Sequence, residues 1–300
     1  MEQKQQPFTA YDFLGYLFPG AAMLLLLDAS IAYHFSDTGL SYDDLISRYG
    51  TKELAALVPF LVAAYILGHV LSYASAAFVE RYAIWSYNHP RNYLLGLKHG
   101  GYYDVQGANP TLSKVLRTIT WFLLLPISIP DFAFGKVLGL RKNYIKPFDP
   151  LIRAAVWRSI NKLVHKCVKK PRDYGKPADH DFASLAVHYV LEKAPNHIAT
   201  LRNYVVLYGF LRTNAMLFVF VFWLVVFHLP FVSWPWYQGF AMSIAVVALC
   251  FGSYAAFVKF FQRYNEDAFF ALTICMLDEP NKVSISAVLP IQSPRVGPEI

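Results

Sequence analysis

Three ionisable side chains stand inside long apolar runs: Asp28, His69 and His228. An ionisable group at membrane depth is expensive, so each is a functional candidate by default. A carboxylate and two imidazoles could pass a proton or hold an ion. They could equally bond neighbouring helices and fix their packing. One such group per helix is sparse for a transport path, so the structural role is expected, with an Asp28–His228 contact across two helices.

A second constellation lies in the polar part of the chain. Asp181, His188 and Glu192 share one face of a helix expected over about 181–194, with His180 and His197 nearby. Imidazole and carboxylate together suit zinc or manganese. The spacing matches no established metal motif, and His188 with Glu192 is an ordinary i,i+4 surface pair, so no metal or other cofactor is expected. Ser159 and Lys162 form an SxxK without its usual companions, and no GxSxG, P-loop, HExxH or GxGxxG occurs. Cys167, Cys250 and Cys275 are too few and too scattered for a disulfide framework. No catalytic residue is therefore named.

The elements that must position these groups follow from composition. Apolar residues make up 56% of the 300 and charged residues only 16%, against about 45–50% and a quarter in soluble domains. Four segments have the roughly 20 apolar residues that a bilayer crossing needs: 14–35, 55–79, 214–233 and 238–260. The first is expected to be a retained span rather than a cleaved leader. Pro19-Gly20 interrupts it, Asp28 lies near its end, and only Lys4 precedes it as a basic residue. With both termini inside, 25 Lys and Arg fall on the cytoplasmic side and two, Arg48 and Lys52, on the other. An all-α membrane protein with four transmembrane helices, N-in and C-in, is the expected fold class.

The stretch 119–140, "ITWFLLLPISIPDFAFGKVLGL", competes with that count. As a fifth span it would put the N-terminus outside and leave Lys136 in the bilayer. Pro126 and Pro130 remove amide donors four residues apart, and Asp131 sits mid-segment. A broken or re-entrant element accounts for it better.

The chain accordingly divides into an N-terminal hairpin (1–79), a basic, largely helical cytoplasmic insert (80–213), a C-terminal hairpin (214–260), and a cytoplasmic helix with a Pro-rich tail (261–300). Within the insert, 85–113 is rich in turn formers and reads as irregular. Asp149-Pro150 then starts an amphipathic helix. Its apolar face is Ile152, Val156, Ile160, Leu163, Val164 and Cys167, and its basic stripe is Arg158, Lys162 and Lys166. Two readings stand: the apolar face enters the headgroup region and its cations meet anionic lipid, or the helix packs on its own domain with a solvated charged face. Nucleic acid is not expected, because this helix is its only footprint. Small residues at four-residue spacing, Gly68, Ser72 and Ala76 in span two and Ala248, Gly252 and Ala256 in span four, offer close helix contacts within one chain or in a homo-oligomer.

"YDFLGYLFPG" (11–20), "YILGHVLSYASAAFVERY" (65–82), "YGFLR" (208–212) and "RYNEDAFFAL" (263–272) resemble a group of uncharacterised bacterial multi-pass membrane proteins. The resemblance covers most of the chain and implies a bacterial inner-membrane location. It implies no activity, and no site residue is carried over. The functional expectation is a non-enzymatic sensor, scaffold or effector whose basic cytoplasmic domain engages a partner or anionic lipid. The alternative is a small transporter or channel using Asp28, His69 and His228.

Overall fold

The computed structural model describes residues 13–35, 54–97, 100–105, 109–139, 141, 144–167, 182–228 and 236–278. Among these residues the regular structure is entirely helical. A wide π-turn at Phe13–Leu17 leads into α1 (Phe18–Phe35). Helix α2 (Leu54–Ser75) continues through a second π-turn, Ala76–Glu80, into α3 (Arg81–Tyr87). Short α4 (Pro90–Leu94) follows, then α5 (Pro110–Leu123), α6 (Leu125–Pro130) with a π-turn at Asp131–Val137, α7 (Pro150–Cys167), α8 (Phe182–Lys193), α9 (Pro195–His228) and α10 (Trp236–Asp278).

Three helical stretches are long and apolar enough to cross a membrane: Val58–Leu94, His197–Phe227 and Trp236–Leu277. In the first helix the described apolar stretch is shorter, Gly15–Ser30, and α5 with α6 would make a fourth crossing only if the bent pair is one span. The expected first span, 14–35, thus falls on a shorter apolar stretch, and the helices containing the other three spans extend well beyond them. The continuations have a physical cause. Glu80 and Arg81 do not end the second helix, because Glu80 finds an ion-pair partner on α9 and Arg81 points outward. The stop comes at Asn88, whose φ of 74° is left-handed, followed by Pro90.

Helices α9 and α10 form an antiparallel pair, with Tyr204 against Phe260, Tyr208 against Phe257, and the Cys250 thiol donating to the Ala215 carbonyl at 3.5 Å. Helices α2, α3 and α6 pack on this pair around Val79, Tyr82, Leu124, Ile127, Val219, Tyr254 and Phe257. At one end α9 and α10 run on into a separate apolar core with α4, α7 and α8. Ile160, Leu163, Phe182, Val190, Leu201, Phe269 and Leu272 are all buried there. We call this end the lobe. Each fully buried Leu or Ile contributes about 1.5–3 kcal/mol relative to exposure to water.

The start of α7 is as the sequence suggests: the Leu151 amide donates to Asp149 Oδ1 at 2.9 Å. Val156, Ile160 and Leu163 fill the lobe, while Cys167 is exposed. Arg158, Lys162 and Lys166 remain on the outer face, with Lys166 Nζ 5.4 Å from the Tyr189 ring. The middle of the apolar face of α7 is therefore committed to the lobe, while Ile152 and Cys167 at its two ends stay exposed and the basic stripe lies on the outer side.

Candidate functional site

The chemistry gathers where the sequence showed only an awkward acid. Helix α5 meets α6 at an 86° bend, with Leu124 at the corner. Pro126 occupies the first turn of α6, where a missing amide costs least, and Pro130 closes it. The polar groups freed by the bend are met by side chains: Trp223 Nε1 donates to the Leu123 carbonyl at 2.8 Å and Ser128 Oγ to the Trp121 carbonyl at 3.0 Å. A break in apolar surroundings persists when such partners satisfy it.

Immediately after α6 stands Asp131, with a side chain 1% exposed. Oδ1 accepts from the hydroxyls of Tyr87 and, at 3.0 Å, Tyr144. Oδ2 accepts from Tyr82 and from Arg141 Nη2, both at 3.3 Å. The Arg141 guanidinium also lies over the Tyr87 ring, 4.8 Å from its centroid. Gly135 makes this approach feasible: a Cβ there would stand 2.8 Å from Asp131 Oδ1 and 2.9 Å from the Tyr144 hydroxyl. Burial, then the Asp131 charge, pushes the Tyr144 hydroxyl up to about 12, so it stays a donor at neutral pH. Tyr254 Oη lies buried with no hydrogen-bond partner among the described residues. Beside the cluster, Ala83, Tyr87, Tyr93, Ile145, Phe261 and Gln262 line a narrow, mostly apolar cleft.

Four donors on one carboxylate make a closed network, which has no free lone-pair direction with which to attack a substrate. Its chemistry is that of a clamp. Asp131 ties the segment after the bend to α3, and Arg141 and Tyr144 tie the chain that follows. Just beyond, Gln262 of α10 donates to the Lys146 carbonyl at 2.6 Å and accepts from its amide at 3.2 Å.

A smaller polar node joins α2 and α9. Arg212 pairs with Glu80 and donates through Nε to Ser75 Oγ at 3.1 Å. Ser75 is buried and donates in turn to the Ser72 carbonyl at 2.7 Å. Arg212→Leu should lower stability in mild detergent by about 1–2 kcal/mol, since Glu80 is left half-buried without its cation. Thermal unfolding of the purified protein measures this, and Arg212→Lys should recover only part of it, losing the fork geometry.

The residues singled out from sequence lie elsewhere. His69 stacks on Tyr16 of the preceding helix, with ring centroids 3.9 Å apart, and meets the edge of Tyr65 at 4.6 Å. Gly68 is buried against the Tyr16 backbone and Gly20 against Ala64. These contacts put α1 and α2 antiparallel, with Asp28 twelve residues, or about 18 Å, beyond Tyr16 along the axis. Asp28 and His69 are thus not neighbours. The His228 side chain lies outside the described residues. Ser72 and Ala76 are partly buried. In α10, Ala248 and Gly252 are exposed and Ala256 is partly so, leaving that stripe on the outer surface. His188 and Glu192 are exposed on α8, and Asp181 lies outside the described residues. Among the described residues no three His, Cys, Asp or Glu side chains converge.

Sequence reasoning missed the clamp because its donors come from 10 to 49 residues away. The signal present was a lone acid in an apolar segment combined with 20 tyrosines in the chain. Comparison with protein-family models, curated proteins and solved structures finds no match to this chain.

Proposed function

We propose that the chain is a non-enzymatic component of a bacterial inner membrane, with both termini and the lobe cytoplasmic. In this reading it is a scaffold or sensor whose basic lobe engages an acidic protein partner. The observation that carries it is the disposition of α7. Its Val156, Ile160 and Leu163 are locked into the lobe, while Arg158, Lys162 and Lys166 are exposed on the outer side.

Distance favours a protein over lipid. The first charge after the apolar stretch of α10 is Lys259, and the α10 residues in the lobe core run from Ala268 to Met276. That is about 14–25 Å farther along the helix axis, beyond a Debye length of about 8 Å from the bilayer surface. Because α9 and α10 run unbroken from the apolar region into the lobe, a load on either half is transmitted to the other. A transport reading built on Asp28, His69 and His228 has less support, given the separation of Asp28 from His69.

The test combines orientation with charge. A reporter fused after residue 175 should be cytoplasmic, and a periplasmic signal would sink the topology. Purified protein should bind a polyglutamate peptide, and binding should fall with salt. The triple variant Arg158→Glu, Lys162→Glu, Lys166→Glu should lose at least tenfold in affinity with its thermal stability intact, because all three side chains are exposed. Unchanged affinity would remove α7 from the interface.

A further inference from the structure

The bent element exposes a run of large apolar side chains that the clamp does not use. On α5, Leu112, Val115, Leu116, Ile119 and Phe122 are all exposed, at spacings that draw one helical stripe. The opposite face is held inward. Arg117 donates to the carbonyls of Tyr102 and Asp104 and lies over Trp85, and Thr120 is buried. After the bend, Ile129, Phe132, Phe134 and Val137 are likewise exposed.

The contacts fix where each arm goes. Helix α5 leaves the level of Trp85, near the lobe end of the second helix. The corner reaches Trp223, eleven residues past Arg212 on α9, or about 16 Å farther from the lobe. The chain then returns: Asp131 meets Tyr82 and Tyr87, Phe134 meets Phe251, and Lys146 meets Gln262. Both ends of the element therefore stand at the lobe end of the bundle. The corner abuts the exposed apolar surface of α9, through Phe122 and Trp223, which in turn stacks on Phe227.

We infer that α5 and α6 form a re-entrant wedge, and that the exposed stripe of both arms is a surface for the acyl chains of the lobe-side leaflet. This wedge rests on the membrane reading above. The occupant follows from continuity, since at the corner the stripe joins the exposed apolar surface of α9 through Phe122, Trp223 and Phe227. The clamp at Asp131 holds the returning arm against the bundle, so the element does not open into a span.

Single nitroxide labels at Leu112, Leu116, Phe122, Phe132 and Val137, in protein reconstituted into phosphatidylethanolamine–phosphatidylglycerol vesicles, test this. All five side chains are exposed; because Phe122 also meets Trp223, elution as a single species and a companion label at exposed Ile119 check that the corner keeps its packing. The ratio of collisions with oxygen to collisions with a water-soluble nickel chelate should rise several-fold from Leu112 to Phe122 and fall back by Val137. A ratio that climbs and then declines toward water on the opposite side, judged by chelate trapped inside the vesicles, would mean a crossing and overturn the wedge. Water-like values throughout, or spin–spin broadening between copies at Leu116, would overturn the lipid surface. Release of the whole chain by alkaline carbonate would instead defeat the membrane reading itself.

Discussion

Replacing Asp131 with Leu should destabilise the protein by about 3–5 kcal/mol, chiefly because three tyrosine hydroxyls at the site lose their acceptor. The carboxylate is the common acceptor for Tyr82, Tyr87, Tyr144 and Arg141. Without it three hydroxyls and part of a guanidinium lose their common acceptor, and the Tyr87–Tyr144 contact at 3.4 Å makes good only part of that loss. Each unmet buried donor costs about 1–3 kcal/mol, moderated here because Arg141 is about one-third exposed and water reaches it. Two companion variants identify the mechanism. Asp131→Asn retains an acceptor and should lose about half as much. Asp131→Leu combined with Arg141→Met removes both charges and should recover only the smaller share owed to the guanidinium, a non-additivity expected of directly bonded partners. Gly135→Ala should mimic the defect without removing any polar group, since its Cβ would press on Asp131 Oδ1 and the Tyr144 hydroxyl. The measurement is thermal unfolding in detergent, alongside elution as a single species. An Asp131→Leu protein as stable as its parent would mean that the network is incidental.

The same residue shows how far the sequence could be read. Pro126, Pro130 and Asp131 together argue against an uninterrupted span, and the helix does break there, by 86°. The amphipathic start and buried face of α7 also follow directly from Asp149-Pro150 and the apolar period. These features are local, set by residues within a few turns of one another. The clamp is not local. Its donors sit on α3 and on the segment after the bend, and nothing in their spacing announces a common acceptor. The second helix outruns its apolar span for a related reason. Glu80 reads as a membrane boundary when only its neighbours are considered, but its charge is met by Arg212, 132 residues on, and the helix continues to Tyr87. The stretch 85–113 reads as irregular by composition. The structure finds α3, α4 and the start of α5 there, ordered by packing against α10 and by Arg117.

The lobe carries a similar lesson. The sequence separates the insert from the helix after residue 260, because a span lies between them. In the structure Ala268, Phe269, Leu272 and Met276 share one core with Ile160, Leu163 and Val190. Antiparallel pairing of α9 with α10 returns the chain to the end it left, so segments distant in sequence meet in one core.

Gly68→Val should have the second large effect, at least about 3 kcal/mol, because it asks two helix backbones to separate. A Cβ at Gly68 would collide with the carbonyl of Tyr16, and one at Gly20 with the carbonyl of Ala64. Backbone atoms cannot rotate away as a side chain can, so α1 must lift from α2 along this contact. Between helices in lipid the loss is of van der Waals contact, with little hydrophobic gain to offset it. Neighbouring His69 makes the comparison specific. Its ring stacks on Tyr16 yet is exposed, so His69→Leu should cost no more than about 1 kcal/mol, the usual worth of a ring pair. Unfolding temperatures of Gly68→Val, Gly20→Val and His69→Leu in one detergent order the three. If the histidine variant fell furthest, the imidazole would be the principal tie between α1 and α2, and the close backbone contact secondary. If instead the glycine variants fall furthest, as expected, the histidine is an ornament on a seam set by the absence of side chains.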